Sequence, residues 1–237
     1  MSNGGDDVKR IYVPAPGPGS WKQLLADPDK HWKMGYSART LAHCWHDSDG
    51  WPDEINTLFL QANLPEFCQV TPLLVIPELV TSLQGQGGHP HSDVFVLAKS
   101  DQGSLISIAV EGKAEEQFGS QVLGEWKRSG NQKNRRIRLD FLLRKLALTT
   151  DPHDDVPYQL IQRTACAVVE AERYNAPYAI MVVHSFSRTD TNYEAFCGFV
   201  NVFGKSVKPG TLAEIALVDG IRIFVGWARG HERYLTM

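Results

Sequence analysis

The stretch DVFVLAKSDQGSLISIAVEGK, residues 93–113, decides the fold of this 237-residue chain. Two mostly apolar runs, residues 93–99 and 105–113, flank a short polar loop that contains Gly103. Apolar residues on both faces of such runs are typical of strands in a sheet that is covered on both sides. Because the loop is short and carries a glycine, the two strands are predicted to form a hairpin.

The hairpin register predicts a cluster of charges at its open end. With the turn centred on Gln102, paired residues sum to 204, so Asp93 lies opposite Glu111. Side chains alternate along a strand, and Lys113 therefore shares a face with Glu111. Opposed carboxylates among apolar residues cost stability unless positive charge lies between them. Lys113 and a divalent cation would each supply it, and oxygen ligands favour Mg²⁺ or Mn²⁺.

The rest of the chain predicts further helices and strands around this hairpin. Helical patterns fill the first quarter, and Pro77 marks the first strand as an edge or bulged strand because proline donates no ladder hydrogen bond. The alternation of strands and helices after the hairpin favours a mixed α/β sheet. The predicted strands are 73–83, 93–99, 105–113, 178–184 and 221–227, and the later helices are 137–148, 158–175 and 192–203.

Asp93 followed by Glu111-Gly112-Lys113 at a strand end resembles the PD-(D/E)XK nuclease superfamily, over roughly residues 73–184. The resemblance implies a restriction-endonuclease-like fold, with an αβββαβ core whose mixed sheet is flanked by helices. It also implies that Asp93, Glu111 and Lys113 are catalytic, the first two as metal ligands and Lys113 by positioning or activating a water. Ser92 stands where many members have proline.

The activity that the resemblance implies is hydrolysis of phosphodiester bonds, with DNA rather than RNA as the partner, and many relatives act as homodimers. The segments SDVFVLA, ISIAVEGKAEEQFG and YQLIQRTACAVVEAERYNAP also resemble an uncharacterised bacterial family assigned to this superfamily. The alternative is a catalytically inactive nuclease-fold protein that binds a protein or a nucleic acid.

A third acidic ligand often completes the metal site of this superfamily. Glu54, Glu66 and Glu78 compete for the role, and the sequence does not choose among them. Glu78 is preferred, because it lies on the strand predicted to neighbour Asp93.

Two groups of residues are candidates for nucleic-acid binding. Lys133, Arg135 and Arg136 belong to a basic run, residues 127–138, that could follow a phosphate backbone or form a solvated loop. Gln159 and Arg163 are four residues apart and share a helix face. Several nuclease relatives place a glutamine on the corresponding helix, although a solvated helix start explains the same residues.

His43, Cys44 and His46 raise the question of zinc, but a zinc site needs a second ligand pair at a suitable distance. The sequence offers only scattered cysteines and histidines, so a role in packing is favoured. The segment HSFS after the strand ending at His184 lies where α/β proteins tend to bind ligands, and a hydroxyl-stabilised turn explains it equally well.

Composition limits the remaining choices. A net charge of −3 provides no global positive field for nucleic acid. The four cysteines form no disulfide framework, and neither a secretory signal nor a membrane-length apolar run is evident, so a cytoplasmic protein is predicted. The predicted organisation is an N-terminal arm, residues 1–19, and a single domain, 20–237, with a helical part, 20–70, and a core, 71–237.

Overall fold

The computed structural model describes residues 15–85, 88–119 and 121–237. Most of the predicted N-terminal arm, residues 1–14, lies outside this described part. A 3-10 helix, Pro18–Leu24, includes the last two residues of that arm, and its Trp21 is buried. Helical structure therefore begins earlier than predicted, because Pro18 at the first helical position is already fixed near a helical φ.

In the described residues the chain is a mixed α/β fold, with a six-stranded sheet flanked by helices. The helices are α1 (Pro28–His31), α2 (Ser37–Asp47), α3 (Asp53–Gln61), α4 (Leu123–Arg128), α5 (Gln132–Lys145), α6 (Tyr158–Tyr174) and α7 (Tyr193–Asn201). The strands are β1 (Val70–Val80), β2 (His91–Ser100), β3 (Leu105–Lys113), β4 (Tyr178–Ser185), β5 (Leu212–Val218) and β6 (Ile221–Arg229).

The strands lie in the order β1-β2-β3-β4-β6-β5. β1, β2 and β3 are antiparallel neighbours, and β4 and β6 continue the sheet parallel to β3. β1 is an edge strand, as Pro77 predicted, and its pairing with β2 is irregular between Pro72 and Leu74.

The β2–β3 hairpin has the predicted register. Val94 pairs with Val110 and Phe95 with Ala109, so each pair sums to 204. The next residue on each strand toward the open end is Asp93 on β2 and Glu111 on β3. The register therefore places the predicted acidic residues at one end of the hairpin.

The basic run, residues 127–138, was expected before the next helix, with a solvated loop as one interpretation, and the loop is wrong for most of it. Its first two residues end α4, and only residues 129–131 lie outside helices. α5 begins at Gln132, five residues before the predicted start, so Lys133, Arg135 and Arg136 lie on a helix. The Asn131 side chain caps this helix by accepting the backbone N–H of Asn134 at 3.1 Å. The exposed first turns carry no apolar periodicity, which is why the sequence pattern did not reveal them.

Two hydrophobic clusters cover the two faces of the sheet. Alternate strand residues such as Ala109 and Met181 pack in the cluster that includes Leu160 of α6. Their neighbours, such as Ile108 and Ile180, pack in the cluster formed with the N-terminal helices. Within the described residues, no helix combines the length and the apolar character that crossing a membrane requires.

We expect Ile108→Ala to lower the free energy of unfolding by about 2–5 kcal/mol, because it leaves a cavity in a closely packed core. Ile108 is fully buried on the central strand β3, at 0% exposure. Urea denaturation followed by circular dichroism measures the change. Leu217→Ala is the matched control, since Leu217 on edge strand β5 is 62% exposed and its loss should cost less than about 0.5 kcal/mol. Equal losses in both variants would contradict this assignment of the core.

Candidate functional site

A cavity of about 580 Å³ opens at the end of the β2–β3 hairpin. Lys30 and Tyr36, from α1 and the segment before α2, line one side of it. The other side holds most of the predicted site residues. They are Glu78, Asp93, Glu111, Lys113, Gln159 and Arg163.

Glu111 is the centre of the hydrogen-bond network in this cavity. Its side chain is 2% exposed, and both carboxylate oxygens accept hydrogen bonds. Lys113 Nζ donates to Oε1 at 2.7 Å and Gln159 Nε2 donates to the same atom at 2.6 Å. Arg163 Nε donates to Oε2 at 2.6 Å. Charge-assisted donors on both oxygens compensate a carboxylate for leaving water.

This network fixes the charge states of its members. Burial by itself would raise the pKa of Glu111, but Lys113 and Arg163 outweigh it and hold the pKa below its usual value. Burial would likewise lower the pKa of Lys113, yet the Glu111 carboxylate, and then Asp93, raise it. Lys113 is therefore an ammonium ion at neutral pH, and it supplies positive charge rather than a free base.

Asp93 lies on the same side of the sheet with fewer partners. Its Oδ2 accepts the backbone N–H of Gly112 at 2.8 Å, and its Oδ1 lies 3.9 Å from Arg163 Nη2. Burial, followed by the nearby charge of Glu111, raises the pKa of Asp93 to about 7. The Gly112 position stays small, because a Cβ there would lie 3.1 Å from Leu41 Cδ2 and 3.4 Å from Asp93 Oδ2.

Glu78 of β1 completes the acidic side of the cavity. Burial, followed by the charge of Asp93, raises the pKa of Glu78 to about 9. His91 Nδ1 is 3.4 Å from its Oε2. Glu78 also has a φ of 52°, in the left-handed region that a residue with a side chain occupies at a cost of about 1–3 kcal/mol. Such strain concentrates at functional sites.

The other candidates for the third acid lie elsewhere. Glu54 accepts a hydrogen bond from the Cys44 thiol and contacts His184 Nε2 at 2.6 Å. Glu66 belongs to a short 3-10 helix, Pro65–Phe67, outside the lining of this cavity. Of the three, Glu78 is the one that the described structure places beside Asp93.

The donor chemistry of the cavity fits a hard divalent cation. Glu78, Asp93 and Glu111 line it together. Burial, followed by repulsion from a neighbouring carboxylate, raises the pKa values of Asp93 and Glu78, and a bound cation would relieve that repulsion. Both oxygens of Glu111 are engaged by donors, so the more open oxygens belong to Asp93 and Glu78. A magnesium ion commonly takes one or two carboxylates and keeps several waters, and this set suffices for that mode of binding.

Among the residues that line the cavity, three buried side-chain atoms have no hydrogen-bond partner in the described structure. They are Nη1 of Arg163, a donor, Oε1 of Gln159, an acceptor, and Nδ1 of His91, which lies 3.4 Å from Glu78 Oε2. A buried polar group without a partner costs about 1–3 kcal/mol, so each calls for a ligand or a water. The unused donor next to Lys113 suits an anionic oxygen.

The remaining nucleic-acid candidates do not line the cavity. Arg135 stacks on Trp126, 4.5 Å from the ring centroid, and its Nε donates to the Ser129 carbonyl. Arg136 forms ion pairs with Asp140 and Asp151. Lys133 lies on the exposed first turn of the same helix. Part of the positive charge of the predicted basic run is therefore neutralised by neighbouring carboxylates.

Sequence reasoning missed a second cluster on the opposite face of the sheet. Cys44, Glu54 and His184 come from α2, α3 and β4, and one ligand atom from each lies within 4.8 Å of the others. A search of the described residues for three or more histidines, cysteines or acidic residues with ligand atoms this close together finds this group. The zinc set considered from sequence is not assembled, since His46 Nε2 instead accepts from Trp21 Nε1 at 2.7 Å.

A protein family profile described as "Domain of unknown function (DUF6946)" matches residues 14–232. The match covers both the hairpin and the second cluster. Comparisons with curated proteins and with solved structures return no match.

We expect Asp93→Asn to raise the free energy of unfolding above pH 7 in the absence of divalent metal. The folded-state pKa of about 7 lies above the unfolded value, about 3.9, so the folded chain keeps a proton that the unfolded chain releases. Parental stability therefore falls as pH rises between these values, and asparagine removes that loss. Urea denaturation of parent and variant at several pH values measures the difference.

The difference between Asp93→Asn and the parent should be small near pH 4 and should grow up to about pH 7. Asp29→Asn is the matched control, because the Asp29 side chain is 98% exposed and should show no such growth. A difference for Asp93→Asn that does not change with pH would show that Asp93 is not a crowded carboxylate.

We also expect Arg163→Met to lower the free energy of unfolding at pH 7 by about 3–5 kcal/mol, because Glu111 is left as a buried charge with one cation fewer. Thermal and urea unfolding measure the loss. Arg136→Met is the control, since that side chain is 55% exposed and its ion pairs contribute about 1 kcal/mol or less. Losses of equal size would contradict a central role for the Glu111 network.

Proposed function

The chain belongs to the DUF6946 family, and on the geometry of its cavity we propose that it is a metal-dependent nuclease that hydrolyses phosphodiester bonds. One observation carries the proposal. Arg163 has a buried Nη1 donor without a partner, and its side chain lines the same cavity as Lys113 and the carboxylates of Glu78, Asp93 and Glu111. A phosphate oxygen satisfies that donor, while a divalent cation and the carboxylates form the complementary half of a phosphodiester site.

Each side chain has a role that its contacts support. Arg163 and Lys113 bind phosphate oxygens and stabilise the negative charge that develops on them during cleavage. Lys113 acts as a cation, because its raised pKa keeps it protonated. Gln159, whose Oε1 has no donor, accepts a hydrogen bond from a water and positions it beside the phosphate. Glu111 holds Lys113, Gln159 and Arg163 in place through direct hydrogen bonds.

Asp93 and Glu78 would hold Mg²⁺ or Mn²⁺, with Glu111 as the third carboxylate of the set. When bound there, the ion would polarise a phosphoryl oxygen and lower the pKa of a water. Its positive charge would also bring the pKa values of Asp93 and Glu78 down.

DNA as the substrate, rather than RNA, rests on the resemblance of Asp93, Glu111 and Lys113 to the PD-(D/E)XK motif. The same resemblance supports a homodimer. A cytoplasmic location is supported by the cysteines, because all four are free thiols, as expected in a reducing compartment.

One observation favours the alternative, a catalytically inactive member of the fold that binds nucleic acid or protein. Glu111 already has a donor on each oxygen without any metal. A site whose central carboxylate is satisfied in this way can bind an anion without cleaving it. The two functions differ in one measurable respect, which is whether bound nucleic acid is cut.

We expect the protein to cleave DNA in the presence of Mg²⁺ or Mn²⁺ and to stop when the metal is chelated. Asp93→Asn, Glu111→Gln and Lys113→Met should each lower the rate by about 100-fold or more. Asp93→Asn weakens the metal site, Glu111→Gln loosens the positions of Lys113 and Arg163, and Lys113→Met removes a positive charge that stabilises the transition state. Gel assays with single- and double-stranded DNA and RNA measure cleavage and substrate preference together.

Lys99→Met is the control for loss of a lysine, because Lys99 is exposed at the opposite end of β2. It should cleave as the parent does. Equal cleavage by all variants would identify a contaminating nuclease. If the parent binds DNA but does not cleave it with either metal present, the nuclease proposal is wrong and the alternative, a catalytically inactive binding protein, is supported.

A further inference from the structure

We propose that Cys44, Glu54 and His184 form a zinc-binding site, separate from the nuclease-like cavity. Cys44 Sγ is 3.7 Å from Glu54 Oε1, and His184 Nε2 is 2.6 Å from the same oxygen. A thiol, an imidazole and a carboxylate thus converge on one point. This combination of sulfur, nitrogen and oxygen ligands suits Zn²⁺ and does not suit Mg²⁺, which binds oxygen ligands almost exclusively.

The site lies on the other face of the sheet from Glu111. In the parallel pairing of β3 and β4, His184 is the partner of Gly112. Since side chains alternate along a strand, His184 and Gly112 face the N-terminal helices, whereas Glu111 and Lys113 face α6. The two sites therefore share the ends of β3 and β4 but no ligand.

The three ligands are held by rigid elements. Cys44 is in the last turns of α2, Glu54 is in the first turn of α3, and His184 is in β4. Cys44 is 1% exposed and His184 is fully buried. Preorganised side chains lose little freedom when they bind an ion, which favours a specific site over a chance cluster.

The ring of His184 is positioned by packing. Trp45 contacts it edge-on with 6.5 Å between ring centroids, and Phe186 lies against it at 4.4 Å. The backbone of Gly230 also passes close, because a Cβ there would lie 2.9 Å from His184 Nε2 and within 2.5 Å of Phe186 atoms. These contacts hold Nε2 toward Glu54, while Nδ1 is buried without a partner.

The distances need a small adjustment to hold an ion. Bond lengths of about 2.0–2.3 Å to a tetrahedral zinc place neighbouring ligand atoms about 3.3–3.7 Å apart. The separation of Cys44 Sγ and Glu54 Oε1, 3.7 Å, already meets this range. The contact between Glu54 and His184, 2.6 Å, would open by roughly 0.7 Å as the ion replaces the shared proton.

An ion can reach this point from solvent. A cavity of about 510 Å³ is lined by Cys44 and Glu54, together with Asp47, Asp53, His231 and Tyr234. It provides an entry path and room for a water as a fourth ligand. Binding would release the thiol proton of Cys44 to solvent, because the thiolate is the form that binds metal. The proton between Glu54 and His184 would pass to His184 Nδ1, which leaves Nε2 of the neutral ring free to bind the ion.

The test uses the purified full-length chain, first stripped with a chelator and then loaded with Zn²⁺ or Co²⁺. We expect one zinc ion per chain, measured by competition with a chromogenic chelator in the presence of excess Mg²⁺. We also expect the cobalt form to show a thiolate-to-metal charge-transfer band in the near ultraviolet. Cys44→Ser should abolish that band, and Cys44→Ser and Glu54→Gln should each weaken zinc binding by more than about tenfold.

Two controls separate this site from other sources of metal binding. Cys68→Ser removes an exposed thiol and should leave the band and the affinity unchanged. Asp93→Asn alters the nuclease-like cavity and should also leave both unchanged. Circular dichroism and thermal melts establish that each variant is folded, and Cys44→Ser and Glu54→Gln nearly preserve the size of the side chains they replace.

No stoichiometric zinc, no charge-transfer band, or zinc binding unaffected by Cys44→Ser and Glu54→Gln would each overturn the proposal. Zinc binding that is lost in Asp93→Asn would also overturn it, by moving the ion to the other face of the sheet. Because these readouts do not involve nucleic acid, they are independent of whether the chain cleaves DNA.

Discussion

The carboxylate of Glu111 must remain charged inside the protein, and the arrangement around it follows from that requirement. An ionised carboxylate that leaves water loses several kcal/mol unless donors replace its hydration. One donor, Lys113, comes from the same strand, while Gln159 and Arg163 come from the first two turns of α6. The helix must therefore cross the sheet with its N-terminal end over the end of β3, and the cavity forms in the gap beside that crossing.

The parts of this arrangement that depend on local geometry could be predicted from the sequence. A short turn fixes the hairpin register, so the positions of Asp93, Glu111 and Lys113 follow from simple counting. The shared face of Gln159 and Arg163 follows from the helical repeat. Pro77 indicated the edge of the sheet, because proline lacks a backbone N–H and is tolerated almost only in edge strands or bulges.

Other parts depend on how distant segments pack, and a single sequence carries little trace of that. Among Glu54, Glu66 and Glu78, the sequence favoured Glu78 only through the expected neighbourhood of its strand. The pairing of β1 with β2 is what brings Glu78 into the same cavity as Asp93. The strand β5 was not predicted, because of its side chains only Ile215 is buried, and an exposed edge strand has a weak alternating pattern. Cys44 and His184 are 140 positions apart in the chain, and no spacing rule connects them.

Gly112 pairs with His184, and its neighbours Glu111 and Lys113 point to the opposite face of the sheet. The two sites therefore depend on the same residue register of β3 and β4. Insertion or deletion of one residue in β3 between Leu105 and Glu111 would turn Glu111 and Lys113 toward the N-terminal helices and turn Gly112 toward α6. A change of two residues would restore the orientation of every side chain. Only insertions or deletions of an even number of residues keep the side chains of this strand on their faces. Length variation in the family should therefore accumulate in the loops.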